Sequence, residues 1–219
     1  SRDLRRLDQD RAIILAGISH DLRTPLARLR LGTEMSQADE SLKEGMHADI
    51  DEMDRTIGQF LDFARVSKEN GDAAQPTRLS LLAAELVEQY AKLGHKIEAH
   101  LEATPELNLD KQAMRRVLTN LIDNALRHAG TDVEIHTRHE NNSVVAEVLD
   151  RGPGIPLDQA ERMKQPFTQL EQARSGALGS GLGLAIVDRV ARSHGGSFDL
   201  LPRAGGGLIA RIRLPETLR

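Results

Sequence analysis

The sequence of 219 residues lacks cysteine and tryptophan, and aromatic residues make up only 2% of it. The absence of cysteine excludes a disulfide framework and thiolate chemistry, and it fits a reducing compartment. With so few aromatic side chains the core must be aliphatic, which suits helix bundles and sheets rich in leucine and valine. No apolar run approaches the roughly 20 residues of a membrane span, and no signal peptide is present.

A strong charge of either sign is also missing. The formal net charge is -4, which indicates no surface for nucleic acid, so we expect no nucleic-acid partner. The chain begins at Ser1 rather than at a methionine, which predicts that it is part of a longer protein. We expect an upstream sensor segment with a membrane part, and residues 1–8 are predicted to be the tail of a connecting helix.

Two helical segments with heptad-like seams open the chain, in alternating steps of three and four residues. The seam residues are Leu7, Arg11, Ile14, Ile18, Leu22, Pro25 and Leu29 in the first segment, and Met46, Ile50, Met53, Ile57, Phe60 and Ala64 in the second. A polar turn at residues 36–41 joins them and predicts an antiparallel hairpin over residues 9–68. Because one hairpin cannot bury both seams, we predict a homodimer that forms a four-helix bundle.

The periodicity changes after a polar segment at residues 69–77, which contains glycine and proline and is predicted to be a linker. Residues 78–219 are predicted to form a second domain. Its predicted helices are 81–93, 111–128 and 181–194, and its predicted strands are 97–101, 107–109, 133–137, 143–149, 197–201 and 208–214. Asp110 is the predicted N-cap of the 111–128 helix. The fold class is therefore α plus α/β, with a helical hairpin followed by a two-layer α/β sandwich.

The stretch Ser19–Leu26 places a histidine, an acid and a hydroxyl on nearly one face of the first helix. His20 lies off the apolar seam and is predicted to face outward, and Pro25 is predicted to kink the helix close to it. A solvent-exposed surface histidine is the alternative interpretation of His20.

Two asparagines, Asn120 and Asn124, lie four residues apart on the 111–128 helix, so their amides share one face. An amide oxygen is a suitable Mg²⁺ ligand when phosphate oxygens complete the shell. The alternative is a pair of polar residues on a solvated helix face.

A carboxylate, Asp150, ends a strand and is followed by Gly152 and Gly154. The glycines let the backbone approach a flat ligand, and the carboxylate accepts a hydrogen bond from an exocyclic amine such as adenine N6. The alternative is an ordinary Asp-x-Gly turn made rigid by proline.

Three further glycines, Gly179, Gly181 and Gly183, precede or open a helix, where free N–H groups and the helix dipole favour phosphate. The pattern is not a Walker A loop, because no Gly-Lys-Ser/Thr follows. It is also a poor dinucleotide-binding fingerprint, because its third glycine comes one residue early and no strand precedes it.

The order of these elements is more specific than any one of them. Together with Pro166-Phe167, they resemble the N, G1, F and G2 boxes of the ATP-binding domain of sensor histidine kinases, the Bergerat or GHKL fold. Ser19–Leu26 resembles the H box of the same family. The resemblance covers nearly the whole chain and is greatest to EnvZ-like kinases of the HisKA class.

The resemblance implies that His20 is the phosphorylated residue, that Asp21 acts as general base or orienting acid, and that Thr24 positions a water for dephosphorylation. It implies ATP and Mg²⁺ as cofactors, with Asn124 as the metal ligand. The residues implied to bind the nucleotide are Asn120, Asn124, Arg127, His128, Asp150, Gly152, Gly154, Ile155, Phe167, Gly179, Gly181, Leu182, Gly183 and Leu184.

The implied function is that of a two-component sensor histidine kinase. It would phosphorylate His20, transfer the phosphoryl group to an aspartate of a cognate response regulator, and dephosphorylate that regulator. The expected location is the cytoplasmic portion of an inner-membrane protein. An alternative is a regulator-binding phosphatase or phosphotransfer scaffold with weak kinase activity, because Gln169 stands where many EnvZ-like sequences have arginine. A GHKL ATPase or chaperone is disfavoured by the H box and by Asn120, an amide where such relatives carry a basic glutamate.

The other six histidines are interpreted as structural or surface residues. His136 and His139 lie three apart in a strand, so they point to opposite faces and make poor metal partners for each other. No partner pattern accompanies the remaining four, which are His47, His95, His100 and His194.

Overall fold

The computed structural model describes residues 22, 24–36, 39–65, 74–129, 132–168 and 180–216. The predicted roles of His20, Asp21 and Gly179 therefore fall outside the described residues, as do Gln169 and linker residues 69–73. Within the described ranges, no helix combines the length and apolar character needed to cross a membrane.

The first part of the structure is a helical hairpin, as predicted. Among the described residues, helix α1 includes residues 22 and 24–35, and helix α2 covers Glu40–Arg65. Arg30 pairs with Asp51 at 3.0 Å, and His47 lies 3.5 Å from Glu34. From Arg30 to Glu34 the position advances by four residues along α1, while the partner on α2 moves back by four, from Asp51 to His47. The two helices are therefore antiparallel.

The predicted seam of α1 does not face α2 within one chain. Leu26 and Thr33 are buried, and so is Ile50 on α2. Leu22 and Leu29 remain exposed, Leu29 by 53%. A helix in a hairpin buries one stripe against its neighbour, so the heptad stripe is left on the open side of the hairpin.

The second part is built on a five-stranded sheet in the order β2-β4-β5-β7-β6. The strands are β2 (Ile97–Leu101), β4 (Val133–Glu140), β5 (Ser143–Leu149), β6 (Ser197–Pro202) and β7 (Leu208–Pro215). The β2–β4 pair is parallel and the other pairs are antiparallel. Three helices cover one face of this sheet: α3 (Leu79–Lys92), α4 (Lys111–Ala129) and α6 (Gly183–Ser193). The predicted two-layer α/β sandwich is confirmed.

Helix α4 begins where the sequence predicted it. Asp110 Oδ1 accepts hydrogen bonds from the backbone N–H groups of Gln112 at 2.8 Å and Ala113 at 2.9 Å. These bonds satisfy two of the N–H groups that a helix start leaves unpaired. The apolar face of α4 is completely buried. Its residues include Met114, Leu118, Leu121 and Ile122. The polar residues of α4 are therefore directed to its edges.

Two elements of the second part were not predicted. Strand β1 (Ala74–Arg78) occupies the end of the predicted linker and pairs antiparallel with β3 (Glu106–Asp110) as a separate two-stranded sheet. Its sequence contains Pro76 and no apolar alternation, so only its backbone pairing defines it. Helix α5 (Leu157–Met163) is seven residues long, which is too short for a periodic signal.

Ion pairs cover the outer face of the sheet, opposite the helices. Glu147 is buried between Arg138, whose Nη1 lies 2.6 Å from the carboxylate, and Arg211. Glu140 forms ion pairs with both Arg138, at 3.0 Å, and Arg213, at 3.1 Å. Burial alone would raise the pKa of Glu147, but the hydrogen bonds from the two arginines outweigh burial and lower this pKa.

Candidate functional site

The carboxylate of Asp150 is fixed at the end of β5. Asp150 is 3% exposed, and its Oδ1 accepts hydrogen bonds from the backbone N–H groups of Gly152 at 2.8 Å and Leu208 at 3.3 Å. Within the described chain no hydrogen bond is found to Oδ2. The carboxylate is therefore held by one oxygen, while the other can accept a hydrogen bond from a ligand.

Glycines allow two backbone loops to meet at Asp150. A Cβ atom on Gly152 would lie 3.1 Å from His128 O, and one on Gly154 would lie 3.0 Å from Gly207 O. A Cβ atom on Gly207 would lie 2.0 Å from the backbone oxygen of Asp150, and Gly207 has a φ of +108°. No other residue type fits there without displacing the loop.

Two arginines hold the second loop in place. Arg151 Nη1 donates to the backbone oxygens of Ala204 at 2.8 Å and Gly206 at 3.3 Å. Arg203 Nη1 donates to the backbone oxygen of Asp150 at 3.3 Å. The sequence analysis assigned this glycine-rich loop only to a turn, so Gly207 was missed as a site residue. The sequence feature that could have indicated Gly207 is the run of three glycines at residues 205–207.

One edge of α4 carries the polar residues predicted from the sequence. Asn120 and Asn124 are half-buried, whereas Arg127 and His128 are exposed at the end of the helix. The residue is exposed as a whole, but partial burial of its imidazole, followed by the charge of Arg127, lowers the pKa of His128, and the charge of Asp150 opposes this effect. His128 is thus biased toward its neutral form beside the Asp150 loop.

Asp123 on the same helix stabilises the fold and is not part of the site. It accepts a hydrogen bond from the hydroxyl of Tyr90 on α3. Burial of the phenol and this carboxylate raise the pKa of Tyr90 far above its usual value. The contact ties α3 to α4 behind the polar edge.

The segment before α6 is locked to Phe167 by backbone contacts. Phe167 N donates to Gly181 O at 3.0 Å, and a Cβ atom on Gly181 would lie 2.9 Å from Thr168 O. Phe167 has a φ of +61° and an exposed ring. Leu182 and Leu184 are buried beneath this junction.

The N-terminus of α6 faces the polar edge of α4. A Cβ atom on Gly183, the first residue of α6, would lie 3.4 Å from Asn120 Oδ1. Leu182 occupies the N-cap position and makes no side-chain cap. N–H groups of the first turn and the positive end of the helix dipole are therefore presented next to the amide side chain of Asn120.

The structure thus brings Asp150, Gly152 and His128 together at one end of the site, and Asn120 and Gly183 at the other. Ile155 is partly buried and packs against the core. Thr24 is exposed on α1, in the hairpin.

The sequence analysis missed Gln59, a residue of α2 that reaches this site. Its Nε2 donates to Asn120 Oδ1 at 3.5 Å, and its Oε1 accepts from the hydroxyl of Ser180. Ser180 Oγ in turn accepts from Leu182 N at 3.2 Å. The neighbouring Phe60 packs against the core of the second domain. No sequence pattern marks Gln59, because its role depends on how α2 lies against the second domain.

Comparison with protein families matches both parts of the chain. Residues 109–218 match the family of histidine kinase-, DNA gyrase B- and HSP90-like ATPases, and residues 10–69 match the His Kinase A phospho-acceptor domain. The chain therefore belongs to the sensor histidine kinases and comprises a HisKA domain followed by a HATPase_c domain.

Curated relatives and solved structures are similar to this chain over much of its length. The sensor histidine kinase GtrS of Pseudomonas aeruginosa is 33% identical over 207 residues, which cover 94% of this chain and 42% of GtrS. The crystal structure of full-length ShkA in complex with AMPPNP superposes with a TM-score of 0.70 at 24% identity, covering 94% of this chain and 46% of ShkA. The NMR structure of the histidine kinase domain of the Escherichia coli osmosensor EnvZ gives 0.51 at 29% identity, covering 66% of this chain and 92% of that domain. The chain spans about half the length of the curated relatives it matches.

Proposed function

We propose that this chain is the catalytic core of a dimeric sensor histidine kinase. It uses Mg-ATP to phosphorylate His20 and transfers the phosphoryl group to an aspartate of a response regulator. The observation that carries this proposal is the arrangement at the two ends of the site. A half-satisfied carboxylate at Asp150 lies in a glycine-lined cradle, and the N-terminus of α6 faces Asn120.

Asp150 reads the adenine ring. Its Oδ2 accepts a hydrogen bond from the exocyclic amine at C6, and guanine has an oxygen at that position. The backbone N–H groups that hold Oδ1 fix the direction of the carboxylate. The absence of side chains at Gly152 and Gly154 leaves room for the flat base.

The triphosphate lies between α4 and the start of α6. The first-turn N–H groups of α6 bind phosphate oxygens, assisted by the helix dipole. The amide oxygen of Asn124 fits Mg²⁺, because this ion takes oxygen ligands and the phosphates and water supply the others. Asn120 makes a second polar contact near the metal and the phosphates. When bound, Mg²⁺ neutralises charge on the phosphates. Arg127 and His128 contact the phosphates or the ribose.

Phosphoryl transfer forms a bond between a ring nitrogen of His20 and the γ-phosphorus, and it breaks the bond to the oxygen of ADP. The attacking nitrogen must be unprotonated, which an ordinary histidine pKa near 6.5 provides at neutral pH. Asp21 accepts the proton from the other ring nitrogen. Because Asn120 carries an amide and not a basic carboxylate, ATP is kept for this nucleophile and is not rapidly hydrolysed.

The dimer is formed by the hairpin. Apolar residues on both helices stay exposed in the single chain: Leu22, Leu29, Met46 and Met53. These are members of the two heptad seams, so pairing two hairpins would bury them in a four-helix bundle. Thr24 lies on α1 in this bundle and positions the water that removes phosphate from the regulator. The complete protein is proposed to be held at the inner membrane by an upstream segment.

Nucleotide binding by Asp150→Asn tests the adenine end of the site. The asparagine keeps the acceptor for Gly152 and Leu208, but its amide group donates where the carboxylate accepted. We expect affinity for an ATP analogue to fall by about 1.5–3 kcal/mol, roughly 10- to 150-fold, by calorimetry. The wild-type chain should prefer adenine over guanine nucleotides, and D150N should lose this preference. Equal affinity of D150N and wild type for the ATP analogue would contradict the proposal.

A further inference from the structure

Two histidines that are 36 positions apart in the sequence are cross-strand neighbours in the sheet. In the parallel β2–β4 pair, His100 lies opposite His136. Their ring centroids are 4.6 Å apart, and the rings meet edge to face. Ile135 and Thr137 flank His136 and are buried toward the helices. Because strand side chains alternate, both imidazoles lie on the outer face of the sheet, opposite the helix layer.

Each imidazole also has a carboxylate beside it. His100 Nε2 lies 2.8 Å from Glu98 Oε1, and His136 Nε2 lies 3.2 Å from Glu134 Oε2. Ligand atoms of His100, Glu134 and His136 all lie within 4.8 Å of one another. The pairing of β2 with β4 therefore gathers two imidazoles and two carboxylates at one place.

We propose that His100, His136 and Glu134 bind a divalent transition-metal ion of the Zn²⁺ type, with Glu98 or water in the fourth position. Neutral imidazole and carboxylate are the ligands that Zn²⁺ takes in His₂Glu sites. On binding, each Nε2 exchanges its hydrogen bond to the carboxylate for a bond to the metal ion through its lone pair, and the single ring proton resides on Nδ1, so both imidazoles stay neutral. Hard cations such as Mg²⁺ prefer sites made entirely of oxygen, so this cluster differs in kind from the site at Asn124.

The geometry needs only small side-chain movements to close. Ligand atoms about 2.0–2.2 Å from a tetrahedral Zn²⁺ lie roughly 3.4 Å from one another. The His100 side chain is 52% exposed, and Glu98 is exposed as well. These two side chains can rotate toward His136 without disturbing the core.

Glu134 is held in position by a neighbour. Its Oε1 accepts from Arg203, while Oε2 faces His136. The hydrogen bond from Arg203 fixes the orientation of the Glu134 carboxylate. Residues that orient a ligand through its second atom are typical of metal sites. Oε2 is therefore the oxygen available to the metal.

Metal binding would also stabilise β2, which lies at the edge of the sheet. Among the described residues, β2 pairs only with β4, so the register of β2 depends on that ladder. A metal ion held by His100 on β2 and His136 on β4 links the two strands by side chains as well. We therefore expect slower hydrogen exchange at the β2 amides when the site is loaded.

The test is a titration of the chain, purified without a histidine tag, with Co²⁺ followed by competition with Zn²⁺. Wild type should bind one equivalent of Co²⁺ with a visible absorption spectrum, which Zn²⁺ should remove. His100→Gln and His136→Gln should each weaken Zn²⁺ binding at least about tenfold. His139→Gln is the matched control, because His139 on the same strand pairs with Glu216 at 2.7 Å and lies outside the cluster.

Three outcomes would overturn the proposal. The first is absence of saturable Co²⁺ or Zn²⁺ binding by the wild-type chain. The second is an H139Q variant that loses as much affinity as H100Q. The third is unchanged hydrogen exchange across β2 when the wild-type chain is saturated with Zn²⁺. This third measurement needs no substitution, so it decides the question even for a variant that folds poorly.

Discussion

Gln59 of α2 donates a hydrogen bond to Oδ1 of Asn120 on α4 at 3.5 Å. Asn120 is one of the two amides proposed to surround the nucleotide phosphates, and the same Gln59 side chain accepts from Ser180 just before α6. A residue of the hairpin therefore forms a hydrogen bond to Asn120 Oδ1, an acceptor in the proposed nucleotide site. A change in the position of α2 is expected to change how available Asn120 is to the nucleotide.

Replacing Gln59 with alanine should increase nucleotide affinity. The variant removes both hydrogen bonds of Gln59, and loss of the one to Asn120, about 0.5–1.5 kcal/mol, corresponds to roughly 2- to 10-fold tighter nucleotide binding. Calorimetry with an ATP analogue and Mg²⁺ measures this change. Glu44→Ala, an exposed position on the same helix, should leave affinity unchanged. Weaker binding by Q59A would mean that Gln59 supports the site instead of occupying it.

Gly207→Ala should disrupt the Asp150 loop far more than Gly206→Ala. Both glycines have positive φ, +108° and +97°, so both substitutions carry the backbone strain of a left-handed conformation, about 1 kcal/mol. Only at Gly207 does the new Cβ atom meet the backbone oxygen of Asp150, at 2.0 Å, whereas nothing lies within 4 Å at Gly206. Thermal unfolding and nucleotide binding measure the difference. Equal losses in the two variants would show that the close approach to Asp150 is unimportant.

The stability of the sheet should depend on pH through Glu147. Its folded-state pKa lies below the usual 4.5 because Arg138 and Arg211 stabilise the carboxylate against the cost of burial. A depressed carboxyl pKa adds stability that is complete above the unfolded pKa and is lost as pH falls through the folded pKa. Glu147→Gln should cost about 1.5–3 kcal/mol at pH 7, and the difference from wild type should shrink below about pH 4.5. Urea unfolding at several pH values measures it. A constant difference between the two proteins at all pH values would contradict this role.

Replacing Thr24 with alanine should separate the two proposed activities. If Thr24 positions the water that attacks the phosphorylated regulator, dephosphorylation should slow by roughly 100-fold, the loss expected from a misplaced reactant. Labelling of His20 should continue, since Thr24 has no part in the attack on ATP. Loss of regulator phosphate is followed for the wild type and for T24A with the same purified phospho-regulator. Unchanged dephosphorylation would remove Thr24 from the mechanism.

The sequence was sufficient to predict the elements whose signal is local. The N-cap at Asp110 precedes a strongly amphipathic helix, and both the cap and the helix are present. The hairpin could be predicted from its two heptad-like seams, and the sandwich from the predicted helices and strands. The family could be predicted because the motifs occur in a fixed order along the chain.

What could not be predicted depends on contacts between distant segments. The opposition of His100 and His136 follows from the parallel pairing of β2 with β4, and the sequence analysis compared His136 only with His139. Gln59 reaches Asn120 across 61 positions. Gly207 meets Asp150 because two loops come together in the fold. The first two of these pairs leave no periodic or short-range pattern in the sequence. The run of three glycines at residues 205–207 indicates a turn but not its contact with Asp150.

The most direct test of the proposed function is the position of acid-labile phosphate after incubation with Mg²⁺ and γ-labelled ATP. The account predicts that His20 carries the label and that His20→Gln, with nucleotide binding intact, incorporates none. Label at the wild-type level in H20Q would contradict the account, and so would rapid release of inorganic phosphate without any phosphoprotein.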